Sequence, residues 1–194
     1  MKKTVVLISF FMGLSAYAQN TSVSTMNQGV SSKGIRVSLL KPSLNVELKV
    51  SSGGKSGKSD NVSFGDSTGL SVGYANLPVG QLGWTTNLSL IDTKVDKTNL
   101  NFTRLDGNLA YAFTPVVNAK GGLNYSKITK GDDQNVFTPA IGLQASVGFQ
   151  VTKNFGIDVG YTQMNQRVEA NVDGNDMDFD FKFSGVEIGI NGTF

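Results

Sequence analysis

Residues 34–50 read Gly-Ile-Arg-Val-Ser-Leu-Leu-Lys-Pro-Ser-Leu-Asn-Val-Glu-Leu-Lys-Val, and the period of this stretch decides the fold. Ile35, Val37 and Leu39 alternate with Arg36 and Ser38. Beyond Lys41-Pro42 the apolar phase moves by one, to Leu44, Val46, Leu48 and Val50. Period two marks a strand with one apolar face. A proline at the slip suits a bulge, where a strand changes face and a missing N–H is tolerated.

The same alternation recurs seven more times: around Leu70–Tyr74, Leu82–Leu90, Leu105–Phe113, Val117–Tyr125, Ile141–Phe149, Phe155–Tyr161 and Val186–Phe194. No segment sustains helical spacing. Eight strands result, each able to cross a bilayer at a tilt, where roughly 9–11 residues suffice. Connections alternate in length. Asn76–Gly80, Thr114–Val116 and Thr152–Asn154 read as tight turns; Ser51–Ser63, Thr93–Asn99, Ile128–Val136 and Ala170–Asp178 read as longer polar loops. Strict alternation predicts an all-β, eight-stranded antiparallel up-and-down barrel with one short-turn rim and one loop rim.

Residues 1–18 carry Lys2 and Lys3, an apolar run from Val5 to Leu14, and Ala16-Tyr17-Ala18. That is the layout of a cleavable signal peptide, and the run is about half of the roughly 20 residues a spanning helix needs. Residues 19–33 read as a flexible lead-in and 34–194 as the barrel. The formal charge of +2 comes from 17 basic and 15 acidic residues; removing Lys2 and Lys3 leaves 15 of each. A neutral chain gives no reason to expect nucleic acid as a partner.

The 194 residues include 23 Gly but no Cys and no His. Thiol nucleophiles, imidazole bases, disulfides and most zinc or haem sites are thereby excluded. Ser with Asp alone lacks a base of suitable pKa, so no catalytic residue, cofactor or metal is assigned.

The polar face of the strands is mostly Gly, Ser, Asn, Thr and Ala. The apolar face carries Tyr74, Trp84, Tyr111, Phe113, Phe149, Phe155 and Phe194, mostly near the short turns. An eight-stranded interior is just filled by side chains, so the aromatics belong outside, as an interfacial girdle. The competing arrangement is a soluble lipocalin-like barrel with an apolar cavity. The leader, the eight strands and the ending Val186-x-Ile188-x-Ile190-x-x-x-Phe194 resemble the small outer-membrane β-barrel proteins of Gram-negative bacteria, the OmpA/OmpX-like group. That resemblance implies a cell outer-membrane location after export through the inner membrane, membrane lipid around the wall, and a terminal Phe194 read by the barrel-insertion machinery. It also implies a structural or surface-interaction role, with an extracellular partner at the loops and a monomeric state.

Arg36, Arg104, Asp106, Lys120, Asp158 and Glu187 fall on the polar phase. In a narrow interior opposite charges should pair, giving a salt-bridge plug; the alternative is a gate in a narrow porin-like channel for ions or small solutes. Asp173, Asp176, Asp178 and Asp180, with Glu169, make the last loop acidic without calcium-loop spacing, and read as a solvated hairpin tip. Gly54-Lys55-Ser56 and Gly57-Lys58-Ser59 lack the leading Gly and the helix of a phosphate loop. They leave Lys55 and Lys58 on a flexible loop, with contact to anionic lipid headgroups only a secondary reading.

Overall fold

The computed structural model describes residues 32–52, 55–58, 62–63, 65–95, 98–130, 137–172 and 175–194. The proposed leader and most of the lead-in lie outside them. Ten strands are formed: β1 (Ser32–Ser52), β2 (Lys55–Lys58), β3 (Val62–Ser63), β4 (Ser67–Leu77), β5 (Leu82–Val95), β6 (Thr98–Ala112), β7 (Val117–Lys130), β8 (Thr138–Gln150), β9 (Phe155–Val172) and β10 (Asn175–Thr193). Each long strand pairs antiparallel with the next, and β10 returns to β1, closing a ring of eight; β2 and β3 are short strands against the far half of β1.

The seam runs without interruption from Arg36↔Thr193 to Ser52↔Met177. Its lower end is finished by the last residue: Ile35 N–H donates to the Phe194 carbonyl at 2.9 Å, and Phe194 N–H to the Ile35 carbonyl at 2.9 Å. Gly34 makes this approach possible. Its φ is +151°, and a Cβ there would lie 2.0 Å from the Phe194 carbonyl oxygen.

The short turns hold polar caps suited to reversal. Thr114 Oγ1 accepts from Val116 and Val117 N–H at 3.2 and 2.9 Å, and Thr152 Oγ1 from Asn154 and Phe155 N–H at 3.3 and 3.1 Å; Ser/Thr side chains mimic a backbone turn in this way. The first short turn lies at 78–81, past the expected Asn76–Gly80, because Asn76 and Leu77 still pair with β1. Gly80 supplies its positive φ of 72°.

The expected bulge at Lys41-Pro42 is absent. Pairing to β10 passes through Lys41, Pro42 and Ser43 in register, so Leu44, Val46, Leu48 and Val50 share the inward phase of Arg36 and Ser38. The strand keeps its face and its surroundings change. Below this level Ile35 and Leu39 are exposed outside and Arg36 and Ser38 buried inside; above it Lys41 is exposed outside and Pro42 and Leu44 are buried inside. The same inversion occurs from Leu90 to Ile91, Leu105 to Phe102, Tyr125 to Ile128, Tyr161 to Met164 and Val186 to Phe183. Register shifts occur instead at Asn101/Phe102 in β6 and at Ala140/Leu143 in β8.

This inversion also explains why three of the four expected long loops are largely strand among the described residues, and why the fourth, Ile128–Val136, begins as strand; its residues 131–136 lie outside the described ones. β1 reaches Ser52, β5 reaches Val95 and β6 starts at Thr98, β7 reaches Lys130, and β9 and β10 meet at Val172 and Asn175. Their outward residues are polar because they stand in water, and polar runs read as loops from sequence.

Seam closure predicts a contrast between two glycines. Gly34→Val should lower stability in detergent by about 1–3 kcal/mol, measured by urea unfolding. Gly107→Ala, where a Cβ meets nothing within 4 Å, should leave the midpoint unchanged.

Candidate functional site

Leu82–Leu90, Leu105–Phe113 and Ile141–Phe149 set exposed apolar side chains on alternate positions of the outer wall, Thr86 and Gly107 excepted, over nine residues each. At ~3.3 Å per residue and a tilt of ~40°, nine residues span roughly 23 Å, close to the apolar band of a membrane barrel. A soluble barrel with an apolar cavity would bury these residues, and the lipocalin-like alternative fails on their exposure.

The aromatic residues collect at the short-turn rim. Tyr74 stacks on Trp84 (centroids 5.5 Å), Tyr111 meets Phe113 edge-on at 5.1 Å, and Phe155 meets Phe194 edge-on at 6.3 Å. Phe149, next to last in β8, is exposed on the same wall. Tyr125, not assigned to the girdle from sequence, is exposed at the opposite border of the belt, just below Lys127.

Inside, the six charged residues form two groups. Arg104 is 2% exposed. Its guanidinium makes a fork on Glu187, Nη1 to Oε2 at 2.8 Å and Nη2 to Oε1 at 3.0 Å. Its Nε lies 3.0 Å from Asp106 Oδ1 and 3.2 Å from Oδ2. Thr162 Oγ1 also accepts from Nη1, at 3.3 Å, and Ser89 Oγ donates to Asp106 Oδ2 at 3.4 Å. In the second group Lys120 Nζ donates to Asp158 Oδ2 at 2.6 Å, and Arg36 donates to the same oxygen. Three cations meet three carboxylates, so the layer is neutral. Bidentate guanidinium geometry supplies both direction and strength.

A neutral polar chain lies beside this layer: Gln144 Nε2 donates to Asn108 Oδ1 at 2.7 Å, and Asn108 Nδ2 to Thr85 Oγ1 at 3.1 Å. A cavity of about 70 Å³ remains among the charged groups.

Sequence reasoning missed the layer above. Leu44, Ile91, Phe102, Ile128, Met164 and Phe183 pack together inside the barrel, with Val46, Leu100, Phe137 and Phe181 against them. Phe102 meets Phe183 edge-on at 5.1 Å, and Phe181 stacks over Phe183 at 6.4 Å. The signal was present: apolar residues change parity at a matching distance from the short turns in strand after strand.

Above the belt the outer wall is salt-bridged. Lys41–Asp66, Lys58–Glu47 and Arg167–Asp180 lie at 2.9, 3.0 and 2.8 Å. Hydrogen bonding and charge from Lys58 hold the Glu47 carboxyl below its usual range, and Lys41 does the same for Asp66. Their contribution is complete above the ordinary carboxylate pKa and is lost as pH falls through the lowered value; exposed pairs of this kind contribute little. Asp178 and Asp180 face outward, on the opposite phase to Phe179 and Phe181. Asp173 and the side chains of Asp176 and Lys55 lie outside the described residues. Lys58 stands on β2, a strand where a loop was expected.

No protein-family model matches the chain, and no curated protein matches it. Among solved structures it is similar to Neisserial surface protein A (20% identity, 83% of this chain and 97% of that one, TM-score 0.42). It is also similar to the outer membrane protein OprG from Pseudomonas aeruginosa (12%, 84% and 98%, TM-score 0.47). A third is the N-terminal β-barrel domain of Pseudomonas aeruginosa OprF (16%, 82% and 98%, TM-score 0.39). These identities are too low to carry over a role.

The burial of Arg104 sets a testable cost. Arg104→Met leaves Asp106 and Glu187 buried without their cation and should lower stability by about 3–5 kcal/mol. Adding Asp106→Asn and Glu187→Gln should restore most of it. Arg167→Gln, on an exposed pair, should not measurably shift the urea midpoint.

Proposed function

We propose that the chain is an integral β-barrel of a Gram-negative outer membrane, with its short turns on the periplasmic side. Its role is to anchor and present the long hairpins at the cell surface. The observation that carries this reading is the apolar band on the outer wall over a polar, charge-bearing interior. Lipid is the solvent that such an exterior suits, and a closed ladder is the form in which strands cross it.

Two features support presentation over passage. The paired charges and the apolar layer above them occupy the interior around a cavity of about 70 Å³, which supports an occluded lumen. The strands themselves carry on past the belt with a polar exterior, which builds surface where a partner can reach it. An enzymatic role has no support, since the chain offers neither imidazole nor thiol. Phe194 is the residue that closes the seam.

Purified barrel in planar bilayers should give no discrete conductance. Discrete openings altered by Arg104→Ser or Lys120→Met would overturn occlusion in favour of a narrow ion channel. Detergent-extracted outer membranes should contain the chain in a heat-modifiable form on gels; recovery from the soluble periplasm would overturn the location.

A further inference from the structure

The apolar band is not evenly clothed. Across β5, β6 and β7 its outward positions Thr86, Gly107 and Gly121 are small, and the register sets them side by side. Gly107 lies opposite Thr86 on one strand and Leu123 on the other, and Gly121 lies opposite Leu109. Around them stand Trp84, Leu105, Leu109, Leu123, Tyr125 and Ile141, all exposed. Together they bound a hollow of about 820 Å³ on the outer wall. Clefts that hold small ligands measure roughly 300–1,000 Å³, so this one is large enough for an occupant.

Nothing inside the protein accounts for the two glycines. Glycine weakens a strand, and where it occurs it marks a bulge, a tight bend, or a group held close against the backbone. Gly73, Gly122, Gly142 and Gly185 are of the last kind, since a Cβ at each would run into a carbonyl oxygen of the neighbouring strand. At Gly107 a Cβ would meet nothing within 4 Å, and at Gly121 only the Gln144 carbonyl oxygen at 3.9 Å. Neither has a positive φ, and no register shift falls at either. The group that their missing side chains admit therefore comes from outside the chain.

The wall around the hollow faces lipid on the membrane-spanning reading above, and the inference rests on that reading. The charge over the hollow selects among lipids. Lys127 is exposed on the outward phase, two residues above Tyr125, with Thr103 opposite it, and it makes no ion pair among the described residues. A lysine stem lies along apolar surface and carries its ammonium to the headgroups, where it attracts anionic lipid. From Gly121 to Lys127 the strand rises roughly 15 Å, at ~3.3 Å per residue and a tilt of ~40°. That is half of the roughly 30 Å hydrocarbon core, the depth of one leaflet. A lipid whose headgroup meets Lys127 thus ends its chain over the glycines. We propose that the hollow is a lipid site, which takes one acyl chain of an anionic lipid from the leaflet on the side of the long hairpins and holds its headgroup at Lys127.

Trp84 lines the hollow and is the single tryptophan of the chain, so its quenching by lipids brominated on the acyl chain reports the occupant. The full barrel is reconstituted in mixed vesicles of phosphatidylglycerol and phosphatidylcholine, with the bromine on one lipid or on the other. Trp84 should favour phosphatidylglycerol about fivefold over its share of the bilayer, the effect of one lysine near a membrane surface. Lys127→Gln should abolish the preference, and Lys41→Gln, on the opposite side of the ring, should leave it intact. Gly107→Leu with Gly121→Leu, its folding checked by heat-modifiable migration, should abolish it by filling the hollow. Equal quenching by both lipids in the unaltered barrel, or a preference that survives Lys127→Gln or the filled hollow, overturns the proposal. Quenching that falls as the protein-to-lipid ratio rises would put a second copy of the chain in the hollow and overturns it too. A Trp84 that neither lipid quenches at any ratio would instead overturn the membrane-spanning reading itself.

Discussion

A backbone N–H or C=O left without a partner in hydrocarbon costs several kcal/mol, and the rest of the wall follows from that requirement. It forbids an edge, so β1 and β10 must meet along their whole length. The meeting is completed at the lower rim by Ile35 and Phe194 exchanging two hydrogen bonds. It also forces the choice of Gly34, where a side chain would strike the carbonyl that finishes the ladder. With eight strands closed, the interior radius is no longer free, and this limits what can point inward.

The interior answers that limit in two ways along one axis. Beneath the belt's upper border the wall faces lipid, its large side chains stand outside, and the inside is left to Gly, Ser, Asn and six charges that neutralise one another. Above the border the wall faces water on its outside, the large side chains turn in, and the barrel packs as a soluble protein would. One backbone therefore serves two solvents without a bend in β1. Continuity of pairing through Lys41, Pro42 and Ser43 makes this possible.

Most of the wall was legible in sequence because period two survives in every strand whichever face is apolar. Arg36, Arg104, Asp106, Lys120, Asp158 and Glu187 were legible as inward residues because a charge on the phase opposite to exposed Leu and Ile has nowhere else to go. Which carboxylate meets which cation was not, since Arg104 and Glu187 lie 83 residues apart and are brought together across the lumen by the ring closure. The apolar layer was hidden for a different reason. A local reading sees a parity change at Leu44 as backbone geometry, whereas its cause is the height at which solvent replaces lipid. Only the coincidence of that height among β1, β5, β6, β7, β9 and β10 identifies the cause, and heights depend on register.

The strands' continuation past the belt has a consequence for reach. From Lys41 to Ser52, β1 adds twelve residues beyond the apolar band, which at ~3.3 Å per residue and a tilt of ~40° is roughly 30 Å. Because Phe102, Met164, Phe183 and their neighbours pack inside the lower part of that segment, at the level of Leu44 and Val46, the extension has a solid base. The described upper ends of β1 and β10 therefore stand about that length clear of the apolar band.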